Sequence, residues 1–291
     1  MFFGSFVALI TPFAKDGNID TAAYEQLIEW HIDQGTHGLV PCGTTGETPT
    51  LSHEEHMALI TTCVKASNGR LPVIAGAGSN NTIEAVSLAQ HAQKTGADAI
   101  LTVVPYYNKP CQEGIYQHFK AVHDATDIPL VLYDVPGRTV ASMTVDTVCR
   151  LAELPRVVGI KDAAPDLARP LEMRARIGKD FCMLSGEDAT VAGYLAQGGN
   201  GCISVTANVA PKKCAALHAA WLNGDLEHFN TAKYELYKLH DLMFAAPNPS
   251  PAKYALSKMG KIENILRLPL LPVGSDLEAE LEAELKKLNL L

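Results

Sequence analysis

The chain has 291 residues, 47% hydrophobic and 19% charged, ordinary globular composition able to bury a large core. A net charge of −8 and a pI near 5.7 exclude a nucleic acid or an acidic membrane as partner, since either needs a basic surface; only a local basic pocket for a small anion stays open. The seven cysteines are odd in number and scattered, with no Cys-x-x-Cys pair, so reduced thiols in a cytoplasmic protein are expected.

The amino terminus, Met1 to Ile10, is apolar but has no positive leader and is interrupted by Gly4 and Ser5, with Pro12 close behind. It reads as a first strand, not a signal peptide. No stretch reaches the roughly eighteen apolar residues of a membrane helix. Strand-like and helix-like segments then alternate. Ser5 to Ile10 is followed by a helix over Thr21 to Gln34, where Tyr24, Leu27, Ile28 and His31 recur at helical spacing. Gly38 to Val40 leads through a loop to a helix from Ser52 to Lys65, where Ser52 and Glu55 form a capping box. Strands at Leu71 to Gly76, Ala99 to Val104 and Ile128 to Tyr133 alternate with helices at Thr82 to Lys94, Gly114 to Ala125 and Thr144 to Leu154.

Val157 to Lys161 is the next strand, with a helix around Leu167 to Ile177. Phe181 to Ser185 and Gly201 to Val205 are the last strands, followed by helices near Ala189 to Gln197 and Pro211 to Leu222. Eight such units imply a parallel sheet and predict a closed (β/α)8 TIM barrel, with an open doubly wound sheet as the alternative. The barrel is expected over residues 1–224 and a C-terminal helical extension over 225–291, with helices at Asp225 to Phe244, Pro251 to Met259 and Asp276 to Leu288.

Catalytic residues of such barrels sit at the carboxyl ends of the strands. Lys161 ends an apolar, largely β-branched strand, where a desolvated amine can stay neutral and form a Schiff base; the segment alone also allows a lysine that reaches out to water. After the second strand comes Gly43-Thr44-Thr45-Gly46-Glu47, two hydroxyls between glycines, able to hold a carboxylate or relay a proton. Tyr106 and Tyr107 follow the fourth strand, and Tyr133 ends the fifth, where a phenol can move a proton at a reacting carbonyl. Arg138 offers a planar fork for a carboxylate. His53 and His56 are three apart, not four, so no zinc-protease helix is formed and no metal is expected. Gly76-Ala77-Gly78 lacks the third glycine of a dinucleotide fingerprint, Asn81 standing there. The chemistry needs no cofactor.

Gly43-Thr44-Thr45-Gly46-Glu47, Pro105-Tyr106-Tyr107-Asn108-Lys109-Pro110, Tyr133-Asp134-Val135-Pro136-Gly137-Arg138-Thr139 and Gly159-Ile160-Lys161 resemble the dihydrodipicolinate synthases (4-hydroxy-tetrahydrodipicolinate synthases). These belong to the pyruvate-dependent Schiff-base aldolases and lyases. The likeness continues through Leu184 to Asp188, Ile203 to Asn208 and Arg267 to Leu270. It implies a lyase of lysine and diaminopimelate biosynthesis. Pyruvate would condense with Lys161 and the enamine would attack L-aspartate 4-semialdehyde. Tyr133 would carry the proton with Thr44 and Tyr107 as relay, Tyr107 reaching in from a neighbouring subunit of a homotetramer, a dimer of tight dimers. Thr45 would hold the pyruvate carboxylate, Arg138 the semialdehyde carboxylate, and Gly186 and Ile203 would line the pocket.

In lysine-inhibited members, residues corresponding to His53, His56, Gly78, Asn80, Glu84 and Tyr106 hold free L-lysine, and all six match here, which implies feedback inhibition. From the residues alone, His53 and His56 also fit an exposed helix face. Three departures stand out. Asp134 replaces the usual asparagine, an added negative charge near an anionic substrate; Asp162-Ala163-Ala164-Pro165 lacks the usual glutamate; and Pro49 replaces a small residue. The rivals are a related aldolase acting on another aldehyde or sugar acid, against which Arg138 argues, and a silent barrel that binds a small acid.

Overall fold

A computed structural model of the chain describes residues 2–291; Met1, at the head of the segment read as the first strand, lies outside them. Two compact units are formed, one by residues 4–72 with 204–291 and the other by residues 2–3 with 73–203.

In the first unit β1 (Gly4–Ala8) pairs in parallel with β2 (Gly38–Val40), flanked by α1 (Thr21–Asp33) and α2 (His53–Ser67). Asp20 caps α1 on the Ala23 N–H, and the expected capping box of α2 is present: Glu55 N–H donates to Ser52 Oγ and Ser52 N–H to Glu55 Oε2.

The second unit carries β3 (Ile74–Gly76), α3 (Thr82–Thr95), β4 (Ala99–Val103), α4 (Gln112–Asp124), β5 (Leu130–Asp134), α5 (Pro136–Thr139), α6 (Val145–Ala152), β6 (Val157–Asp162), α7 (Arg169–Ile177), β7 (Cys182–Ser185), α8 (Val191–Ala196) and all but the last residue of β8 (Gly201–Ser204). Consecutive strands from β3 to β8 pair in parallel, so their carboxyl ends share one edge. Short α5 is absent from the sequence expectation: Pro136 starts it and four residues show no helical period. β3 and β5 begin later than expected, just after Pro72 and Pro129, whose rings lack the N–H that a sheet ladder uses.

The strands are apolar on both faces, as a parallel sheet covered by helices requires. Gly159 is forced: a Cβ there would lie 2.4 Å from the Cys182 carbonyl oxygen of the paired strand. The first unit resumes with α9 (Pro211–Leu222), α10 (Leu226–Met243), α11 (Ser250–Lys258) and α12 (Ser275–Lys287), and Leu281 and Leu285 of α12 are fully buried, so the last helix is docked by its apolar stripe.

Candidate active site

The register of β5 and β6 puts Tyr133 directly opposite Lys161 at the carboxyl end. Both side chains are buried, Lys161 7% and Tyr133 6% exposed, so the lysine does not run out to water. Lys161 Nζ lies 4.3 Å from the centroid of the Tyr133 ring, and among the described residues no carboxylate forms an ion pair with it. An amine without a counter-ion, inside an apolar strand end and against a phenol, is set up to meet a carbonyl. The next strand leaves the space. A Cβ on Gly186 would come within 3.2 Å of Lys161 Cε and 2.7 Å of Ala163 Cβ, so the glycine keeps the lysine stem free. Ile203, on β8, is buried, and Arg138 is exposed on α5 just beyond Tyr133.

Successive strand residues face opposite ways, so Asp134 and Asp162 stand opposite each other behind Tyr133 and Lys161. Asp134 Oδ2 accepts from Arg169 Nη2 (2.7 Å), Ser142 Oγ (2.9 Å) and the Met143 N–H (3.1 Å). Asp162 Oδ2 is 3.6 Å from Arg169 Nε, and its Oδ1 accepts from the Ala164 N–H. Burial pushes the Asp162 carboxyl up to about 6 in spite of the guanidinium. The added charge of Asp134 is therefore not offered to a substrate as expected; it is fully buried and answered by Arg169.

On the same edge, the loop after β4 presents Tyr106 and Tyr107. Tyr107 is 91% exposed with φ +69°, so within this chain it touches little and does not join Lys161. Asn80 Nδ2 donates to the Tyr106 carbonyl, Asn108 Nδ2 to the Asn80 carbonyl, and Ser79 Oγ to Glu84 Oε2. Asn80 and Tyr106 are thus joined, while Glu84 is held by Ser79, the residue before Asn80. Gly78 is required beside it, since a Cβ would meet the Val103 nitrogen at 2.7 Å.

The first unit holds the hydroxyl loop. Thr44 to Gly46 make one tight 3-10 turn, with Thr44 half-buried and Thr45 buried, its Oγ1 accepting from Asn248 Nδ2 (3.0 Å). Glu47 follows in left-handed backbone, fully buried, with one oxygen bonded by Lys253 Nζ and the other by the Arg267 N–H (3.1 Å). Burial pushes the Lys253 ammonium down to about 8 even beside Glu47. Arg267 in turn grips both oxygens of Glu55, at 2.6 and 2.7 Å. His53 is exposed at the start of α2, whereas His56 is buried on its inner side, so the exposed-face expectation fits only the first. Sequence reasoning did not find Arg169, Ser142, Asn248 or Lys253. The two aspartates at strand ends were the available signal for the arginine.

Residues 1–288 match the model of the dihydrodipicolinate synthetase family. The chain belongs to that family. It is 56% identical over 291 residues, the whole of both chains, to a 4-hydroxy-tetrahydrodipicolinate synthase of Parvibaculum lavamentivorans. Among solved structures it is similar to the chloride-inhibited dihydrodipicolinate synthase of Acinetobacter baumannii complexed with pyruvate, at 44% identity and a TM-score of 0.97 with both chains covered in full. It is also similar to the synthase of Cyanidioschyzon merolae with lysine bound, at 36% identity and a TM-score of 0.96, covering 100% of this chain and 99% of that one.

The expected fold class holds: the family chain is a (β/α)8 barrel with C-terminal helices, not an open doubly wound sheet. The expectation of a Schiff-base lyase of the dihydrodipicolinate synthase kind is likewise borne out by these family relatives.

Proposed function

We propose that the chain is a 4-hydroxy-tetrahydrodipicolinate synthase that condenses pyruvate with L-aspartate 4-semialdehyde, through Lys161, in lysine and diaminopimelate biosynthesis. The observation that carries this reading is the buried Lys161 amine, in no ion pair with a carboxylate among the described residues and set over the Tyr133 ring at the carboxyl edge. Nζ adds to the keto carbon of pyruvate and water leaves. Tyr133 takes a methyl proton, giving an enamine, and the enamine carbon attacks the aldehyde, whose oxygen is protonated to a hydroxyl. The amine of the semialdehyde then displaces Nζ, closing the ring and freeing Lys161.

Thr44 and Tyr107 pass the proton on, Thr45 holds the pyruvate carboxylate, and Arg138 the carboxylate of the second substrate, while Gly186 and Ile203 shape the pocket. The exposure of Tyr107 supports its contribution to a neighbouring copy in a homotetramer of paired dimers. The barrel of residues 1–224 does this work, with 225–291 as the helical extension. Among the described residues the cysteines form no disulfide, which supports a cytoplasmic setting. L-lysine is the feedback inhibitor, bound by His53, His56, Gly78, Asn80, Glu84 and Tyr106, with Glu84 receiving the ammonium; the lysine-bound relative supports this. The test is turnover of pyruvate with aspartate semialdehyde, followed by mass spectrometry of the product, with and without millimolar lysine. Product from a sugar-acid aldehyde and none from the semialdehyde would transfer the chain to the related aldolases. Turnover unchanged by lysine would reject the inhibitor site.

A further inference from the structure

Two carboxylates directly opposite each other on adjacent strands repel, and such pairs normally destabilise a sheet. This chain places one, Asp134 and Asp162, at the last paired position of β5 and β6, buried, one residue beyond Tyr133 and Lys161. We propose that Arg169 is a positioning residue, its buried guanidinium bridging Asp134 and Asp162 to hold the strand ends that carry Tyr133 and Lys161 in reacting geometry. This rests on the reading that Lys161 and Tyr133 do the chemistry.

Arg169 opens α7 and is only 9% exposed. It spans the two strands with different nitrogens, Nη2 on Asp134 and Nε toward Asp162, a reach that a lysine ammonium lacks. Ser142 and the Met143 N–H complete the shell of Asp134, drawing in the segment before α6. Past this point only single backbone bonds continue, Ala163 N–H to the Asp134 carbonyl and Gly186 N–H to the Asp162 carbonyl. The bridge is therefore a charged side-chain link between the strand ends on which the amine and the phenol sit. Among the described residues, Asp166, on the loop before α7, and Tyr194, on α8, also face Asp162, and neither supplies a cation.

Arg169→Met leaves two facing buried carboxylates without a cation, so Asp162, pushed up by burial even beside the guanidinium, takes up a proton more readily. The two repel while both are charged, and the repulsion ends once Asp162 is protonated. Because small displacements of reacting groups cost about a hundredfold in rate, kcat of the variant relative to wild type is expected near one hundredth at about pH 8. That ratio should recover at least tenfold by about pH 6, where Asp162, already pushed up to about 6 with the guanidinium in place, holds a proton. KM for pyruvate should change less than about twofold, since no pyruvate contact is removed. Asp134→Asn/Asp162→Asn/Arg169→Met, neutral throughout, is expected to restore kcat to within about fivefold with a ratio independent of pH.

If Arg169→Met does not fold, Arg169→Lys keeps the charge compensated and should still lose about tenfold in kcat. A pH-independent ratio in Arg169→Met with a lowered melting temperature, a neutral triple variant no better than the single, or wild-type kcat in Arg169→Lys would overturn the proposal. Each protein is also trapped with pyruvate and borohydride. Absence of an adduct in wild type would remove the Lys161 reading itself, whereas a normal wild-type adduct with any of the contrary kinetic results removes only the role of Arg169.

Discussion

Among the described residues Lys253 is the most completely buried lysine or arginine, and its loss gives a prediction that can be worked through. Its Nζ is bonded to Glu47 and to the Ile265 carbonyl (2.8 Å), and both side chains are 0% exposed. Lys253→Met leaves Glu47 buried with the Arg267 N–H as its remaining donor. Breaking a buried pair from one side costs about 3–5 kcal/mol, because the surviving charge stays in place uncompensated. With an unfolding entropy of about 2.1 cal/mol/K per residue, 291 residues give about 0.6 kcal/mol per kelvin, so the melting temperature should fall by about 5–8 °C. Glu47→Gln/Lys253→Met removes both charges and should cost only about 1–2 kcal/mol, less than either single change. Scanning calorimetry of wild type, both singles and the double closes the cycle. A double variant as unstable as the sum of the singles would refute the reasoning.

Two further outcomes follow from groups inside the fold. His31, buried against Thr36 Oγ1, is pushed down to about 3 by burial and then by Lys261. Its folded value lies below its unfolded one, so the unfolded chain takes up the proton first and stability is lost as pH falls from about 6.5, at about 1.4 kcal/mol per pH unit. The lead of wild type over His31→Asn in urea melts should shrink over that window; a constant lead would contradict it. Gly186→Ala places a methyl against Ala163 and Lys161 Cε, and should lower kcat/KM for pyruvate at least tenfold while costing about 1–3 kcal/mol of stability. Unchanged kinetics would mean that the space beside the lysine is not used.

How much of this was legible in the sequence depended on the range of the interaction. The strand–helix beat, the Ser52–Glu55 capping box and the apolar stripe of α12 are local patterns, and the elements follow them to within a few residues. The position of Lys161 at a strand end beside Tyr133 followed from the same beat, because parallel strands in sequence order pair with their ends aligned. The charge pairs were not legible. Glu47 and Lys253 are 206 positions apart, and nothing in the local pattern of either marks the other. Asp134 read as a negative charge near the substrate because its partner begins a helix 35 positions later; only the alternation of faces along β5, with Arg169 behind it, shows the charge turned away from Tyr133. His56 repeats the lesson: its spacing from His53 fits a surface, but α2 turns it inward.

The central claim is that Lys161 captures a keto acid as a Schiff base. Intact-mass analysis after incubation with pyruvate and borohydride, followed by peptide mapping, tests it most directly. One pyruvyl adduct per chain, located on Lys161 and lost in Lys161→Ala together with turnover, is the result predicted. An adduct on another residue, or Lys161→Ala forming product at the wild-type rate, would contradict it.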